Sequence, residues 1–164
     1  EEVWGYLPGM KAMAESVHLT SLPQVNRDYL NPELERLWER LLNLRDEVAK
    51  ALEAARQEKV IGPATQANVS LYPENEEALK FLQQVEDELP ALFIVSGVKV
   101  HQVWEVVPQG ALKPENGLPL QIAVAPAPGG KCTRCGLYKE TVGQSASHPE
   151  LCERCREVVE KCEG

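Results

Sequence analysis

Lys131-Cys132-Thr133-Arg134-Cys135-Gly136 and, with sixteen residues between Cys135 and Cys152, Cys152-Glu153-Arg154-Cys155 carry four of the five cysteines of this 164-residue chain. Two C-x2-C pairs at that separation have the spacing of a four-cysteine zinc site. Each short pair can fold as a knuckle with both thiolates on one side, and two knuckles complete a tetrahedron. Gly136 follows Cys135, where a knuckle tends to need a positive φ. Zn²⁺ with four thiolates carries a net charge of −2, and Lys131, Arg134, Arg154 and Arg156 lie beside the motif to offset it. Four filled positions leave none open for water, so one structural zinc ion is expected rather than a catalytic one.

Two other readings use the same cysteines. Paired disulfides belong to secreted proteins, and no basic start leading into an apolar segment marks secretion here. A redox C-x-x-C accounts for one pair and leaves the other unexplained. The fifth thiol, Cys162, follows Leu151, Cys155 and Val158 at spacings of 4, 3 and 4, which predicts an inward-facing position on a terminal helix. His148, before Pro149-Glu150, reads as a helix cap, with replacement of a zinc ligand as the alternative.

Upstream of the motif, Ala125-Pro126-Ala127-Pro128-Gly129-Gly130 reads as a linker. Ala67, Val69 and Leu71 alternate with polar residues as in a half-buried strand, and Ala78, Leu82, Val85 and Leu89 have helical spacing over 75–89. Leu92 to Val95, Val98 to Val107 and Leu120 to Val124 are expected to be strands. Further back, Asn31-Pro32-Glu33 combines a capping side chain, a proline at the first helical position and an acid in the first turn. Leu34, Leu37, Leu41, Leu44, Val48, Ala51 and Ala55 then step by 3 or 4, predicting a helix to about Lys59 that Gly62-Pro63 ends. At ~1.5 Å per residue it is roughly 40 Å long, which suits a helical bundle. Residues 1–30 show no sustained period and read as the end of one element followed by a crossing loop.

The expected class is therefore α+β: the end of a helical bundle with one long helix over 1–62, a small mixed unit over 63–125, and a linker with a four-cysteine zinc ribbon or finger over 126–164. Apolar residues make up 43% of the chain, enough to bury a core. The net charge of −8 argues against a nonspecific coat for nucleic acid or an anionic membrane. No run approaches the ~18 apolar residues of a membrane span. Residue 1 is Glu and the first Met is Met10, so a piece of a longer chain is expected. Phosphate-loop, dinucleotide-binding and nucleophile-elbow signatures are absent, and no catalytic residue is assigned.

The cysteine motif with His148-Pro149-Glu150-Leu151 between its halves resembles the zinc module of bacterial-type isoleucyl-tRNA synthetases. Glu15-Ser16-Val17-His18-Leu19, Leu44-Arg45-Asp46-Glu47-Val48, Ala51-Leu52-Glu53-Ala54-Ala55-Arg56, Lys59-Val60-Ile61-Gly62 and Phe93-Ile94-Val95-Ser96 are similar to that family in the same order. The family usually has Trp where Gly136 stands, and Pro63-Ala64-Thr65-Gln66 also departs from it.

The resemblance implies a class I synthetase that joins isoleucine to its tRNA using ATP and removes misattached valine, since one methylene gives only ~150-fold discrimination. It implies the C-terminal, anticodon-recognising part of such an enzyme, with ATP bound elsewhere and the HIGH and KMSKS signatures absent here. The implied partners are the anticodon region of tRNA(Ile) and the rest of the synthetase chain, in a cytoplasmic monomer with no membrane contact. Unstacked anticodon bases are read by stacking and hydrogen bonds, which makes Arg134, Tyr138, Lys139, Arg154 and Arg156 the candidate contact group. Arg36, Arg40 and Arg45 rank lower, because six bases meet seven acids over 33–59. The alternatives are the DNA-binding finger of a formamidopyrimidine-type repair glycosylase and a zinc-ribbon protein-interaction module.

Overall fold

The computed structural model describes residues 1–163; residue 164, the end of the third expected region, lies outside them. The chain forms two compact units, one over residues 1–36 and one from Leu37 onward.

The first unit contains α1 (Glu2–Tyr6), α2 (Met10–Met13) and two 3-10 turns at Val17–Leu19 and Arg27–Tyr29. Local polar contacts hold it: the Trp4 indole donates to the Ala14 carbonyl at 3.1 Å, and the Glu1 carboxylate accepts from Ser16 Oγ at 2.9 Å. Helix α3 (Pro32–Gln57) starts as expected, with Asn31 Oδ1 accepting from the backbone of Glu33 and Leu34. Its end differs from expectation, because Gly62-Pro63 plays no part in it. Lys59 adopts φ 60, and Val60 N donates to Ala55 O at 2.9 Å. A left-handed residue after the last turn therefore closes the helix.

In the second unit a three-stranded sheet has the order β2-β1-β3: β1 (Ala67–Pro73), β2 (Gly97–Val100) and β3 (Leu120–Pro126). Strand β1 runs parallel to β2 (Asn68 opposite Gly97) and antiparallel to β3 (Val69 opposite Val124). Ala67, Val69 and Leu71 are fully buried, as their alternation predicts. The parallel crossover is made by α4 (Glu76–Gln84), a 3-10 turn at Glu86–Glu88 and α5 (Leu89–Phe93). Asn75 caps α4 through Ala78 N at 2.8 Å. Leu82, Val85 and Leu89 meet Leu41, Leu44, Val48, Ala51, Leu52 and Ala55 of α3 in one core over the sheet. Arg40 stacks its guanidinium 3.9 Å above the Phe81 ring.

Two expected strands are corrected here. Leu92 to Val95 is no strand: Leu92-Phe93 ends α5, and Ile94 caps it with φ 58 and ψ 47. A short apolar run fits helix or strand equally by periodicity, and Pro90 in the first turn with Leu89 and Phe93 buried four residues apart favours the helix. The strand expected over Val98 to Val107 is only β2. His101 N donates to Leu71 O at 2.9 Å, and a turn closed by Glu105 Oε1 on Gln102 N then turns the chain away from the sheet. Glu105 is held below the usual carboxylate range by the Gln102 N–H and then by His101, whose ring stacks on Tyr72 at 4.1 Å.

Under the sheet unit lies an ion pair that composition did not reveal. The Glu47 side chain is buried on α3, where it accepts from Lys50 Nζ at 2.9 Å and from Glu115 N at 3.2 Å. The Lys50 contact, opposed by burial and helped by the Glu115 N–H, keeps its carboxyl below the ordinary glutamate range.

Candidate metal centre

After β3 the chain passes directly into the knuckles. Ala127 N donates to Gln66 O at 2.7 Å, so the expected linker is bonded to the sheet unit. Gly129 has φ 88, and a Cβ there would collide with the backbone of Lys139 and Glu140, so only glycine fits. A two-stranded ribbon, β4 (Gly130–Lys131) with β5 (Tyr138–Lys139), carries the first cysteine pair, and α6 (Glu153–Glu163) starts within the second. Gly136 has φ 75, as the knuckle requires, and its N–H donates to Cys132 O at 2.9 Å.

The sulfurs of Cys132, Cys135, Cys152 and Cys155 all lie within 4.8 Å of one another, and Cys135 and Cys152 are 3.9 Å apart. A tetrahedron with Zn–S bonds of ~2.3 Å has edges of about 3.8 Å. The cysteines are free thiols, and 3.9 Å is far outside the ~2.05 Å of a disulfide. The donor set, four soft sulfurs on two knuckles, fits one zinc ion and leaves no position for a reacting water.

The surroundings differ from sulfur to sulfur. Burial pushes the Cys132 thiol up, but the backbone N–H groups of Cys135, Cys152 and Arg134 outweigh it and bring it down to about 6. Burial pushes Cys135 up to about 12, with the neighbouring thiols adding to it, and it raises Cys152 as well. The site therefore offers one thiolate readily and yields the others when a cation neutralises them. Arg134 Nη1 lies 3.8 Å from Cys155 Sγ, which places a positive charge at the cluster.

The candidate contact residues do not form one free surface. Arg134 and Arg154 are exposed, Tyr138 and Arg156 half-buried. Lys139 donates from Nζ to Ser96 O at 2.6 Å, and Tyr138 N donates to Ser96 Oγ at 2.7 Å. The Arg156 Nε atom is buried without a hydrogen bond and 3.9 Å from Glu160. Cys162 is exposed, not inward. The buried or half-buried residues over 151–162 are Leu151, Cys152, Cys155, Arg156 and Val159, so the expected stripe holds at Leu151 and Cys155 and fails at Val158 and Cys162, which are exposed. His148 caps no helix, because α6 begins only at Glu153; its carbonyl accepts from Leu151 N in a turn.

Ser96 was not singled out as a site residue. It is 3% exposed, its hydroxyl donates to Thr65 O, and with the two contacts above it fastens the knuckles to the sheet. A serine directly after the apolar run Leu92 to Val95 is the sequence signal that could have found it.

Residues 129–158 match the family described as "Zinc finger found in FPG and IleRS". Over 161 residues the chain is 46% identical to the isoleucine–tRNA ligase of Moorella thermoacetica, a match covering 98% of this chain and 17% of that enzyme. It is 45% identical over 159 residues to the ligase of Desulforudis audaxviator and 42% identical over 161 residues to that of Bacillus cereus. The chain is similar over nearly all of its length to isoleucine–tRNA ligases. It spans about a sixth of the length of the curated relatives it matches, at their C-terminal end. The zinc-finger match coincides with the cysteine cluster on the structure.

Proposed function

We propose that this chain is the tRNA-binding, anticodon-recognising portion of an isoleucine–tRNA ligase, and that Cys132, Cys135, Cys152 and Cys155 hold one structural zinc ion in it. The supporting observation is that a likeness to these ligases over 98% of the chain ends in a four-cysteine cluster of zinc dimensions. Zinc, when bound, supplies a crosslink and a +2 charge. The protein's own residues do the rest. The exposed Arg134 and Arg154 offer guanidinium planes and charge to an unstacked loop, and Tyr138 and Arg156 flank them. Lys139, bonded to Ser96, serves this surface chiefly by fixing its orientation.

In this reading residues 1–62 end a helical anticodon-binding bundle, 63–125 form a small α+β domain onto which α3 packs, and 126–164 form the metal module. ATP and isoleucine are bound elsewhere in the ligase, a cytoplasmic monomer whose partner is tRNA(Ile). Among the described residues, no helix is long and apolar enough to cross a membrane. Replacing Arg134 and Arg154 together with Ala in the complete ligase should weaken tRNA charging and leave isoleucine activation intact. Unchanged charging would refute the assignment. A repair-glycosylase finger is favoured by the zinc-finger match alone, and preference for duplex DNA over tRNA across salt concentrations would select it.

A further inference from the structure

The four sulfurs of the metal centre are not equally sheltered. Cys132 and Cys155 are fully buried and Cys152 is 5% exposed, whereas Cys135 is only half-buried. Cys135 and Cys152 both line a groove of about 640 Å3 between α5 and the knuckles. Asp87, Glu153, Lys139 and Arg154 line the same groove, and their formal charges cancel, so a small neutral molecule entering it is neither repelled nor held. Metal-bound cysteines are deprotonated. In the zinc-loaded protein all four sulfurs are therefore thiolates, and exposure decides which of them an oxidant reaches.

A disulfide needs a second sulfur within reach. Cys152 Sγ lies 3.9 Å from Cys135 Sγ, so closing to a ~2.05 Å bond takes a shift of under about 2 Å. Cys132 is the poorer partner, because its sulfur accepts the N–H of Cys152 at 3.3 Å and those of Cys135 and Arg134, which occupy its lone pairs. Cys155 is fully buried, with Arg134 Nη1 3.8 Å from its sulfur.

We propose that Cys135 is a peroxide-sensitive modification site, and that its oxidation converts the zinc-loaded centre into a metal-free one tied by a Cys135–Cys152 disulfide. The Cys135 thiolate attacks one oxygen of hydrogen peroxide and breaks the O–O bond, giving a sulfenic acid and hydroxide. The Cys152 thiolate then attacks that sulfur, forming the S–S bond and expelling a second hydroxide. Two electrons pass from the two sulfurs to the peroxide, and the centre loses two of its donors. Cys132 and Cys155 alone do not complete a tetrahedron, so the ion is released. Cys135 follows β4 and Cys152 precedes α6, so the new bond joins the same two knuckles that the ion joined. A bond within either C-x2-C pair would leave them apart. The centre is thereby a reversible redox switch, restored by a dithiol and zinc. The proposal rests on the metal reading and is independent of the tRNA-binding one.

The test loads the full chain with zinc, adds hydrogen peroxide, follows released metal with a chromogenic chelator, and maps disulfides by differential alkylation and peptide mass spectrometry. Release of one zinc per chain, in step with a Cys135–Cys152 disulfide and reversed by a dithiol with added zinc, is expected. Cys162→Ser, which removes the exposed fifth thiol, should leave rate and product unchanged. Ala91→Trp, which fills the groove from an exposed position on its wall, should slow release several-fold. Zinc retained under excess peroxide, or a first disulfide within one knuckle or to Cys162, overturns the proposal. So does release at the wild-type rate from a folded Ala91→Trp chain; if that variant does not fold, the first disulfide of the wild type decides alone. A chain that takes up no zinc before peroxide is added refutes the metal reading itself, and the proposal with it.

Discussion

Removing the metal should unfold the knuckles and leave the sheet unit intact. Among the described residues, the aliphatic side chains packed around Cys132, Cys152 and Cys155 are Val142 and Leu151, both partly buried. Full burial would be worth ~1.5–3 kcal/mol for each of them, so together they supply less than about 6 kcal/mol. Binding of a structural zinc in small modules contributes ~10–16 kcal/mol, which makes the ion the larger source of order. The core of α3, α4, α5 and the sheet contains no cysteine. Hydrogen exchange with and without a chelator reads both regions at once. Amides of 130–160 should lose protection on chelation, while those of β1 and of α3 from Leu41 keep theirs. Retained protection in the knuckles of metal-free protein would refute the reasoning.

Three further outcomes are expected. Zinc uptake near pH 7.5 should release protons from Cys135 and Cys152, whose thiols burial holds in the protonated form, so affinity should fall as pH falls; titration calorimetry in buffers of different ionisation enthalpy measures this, and a proton-free reaction would contradict it. Glu47→Ala should destabilise the fold by ~1.5–3 kcal/mol, because the Glu115 N–H and the Lys50 ammonium lose their acceptor. As the folded carboxyl titrates below its ordinary 4.5, Glu47 contributes fully above that pH and its contribution fades as pH falls through the folded value, so wild type and variant should converge in acid denaturation. Ile94→Gly should raise the melting temperature, since relief of ~1–2 kcal/mol of left-handed strain outweighs the ~0.5–1 kcal/mol entropy of glycine; a lower melting temperature would show the residue to be unstrained.

The cysteine cluster was legible because metal geometry is encoded in spacing alone, and Gly136 declared its positive φ. Helix α3 was legible because its cap and its apolar stripe agreed. Leu92 to Val95 misled because a buried helical turn and a buried strand share the same composition, and the choice depended on Pro90 and on packing against residues far away in sequence. Val98 to Val107 misled because alternation persists beyond Val100, where β1 no longer offers a partner. Cys162 was placed inward because a 3-4 rhythm gives a stripe without its extent, which tertiary contact sets. Ser96 and Glu47 were missed as polar residues whose burial depends on partners 42 and 68 positions away.

Ser96 donates its own N–H to Ala67 O at the entry to the sheet and seats the ribbon with its remaining polar atoms. The knuckles therefore borrow the stiffness of an aliphatic interior to which they add no carbon. Turning them relative to β1 means breaking the first rung between β1 and β2. A disturbance in the apolar interior should thus reach the metal-bearing end as a change of orientation before it changes that end's internal shape.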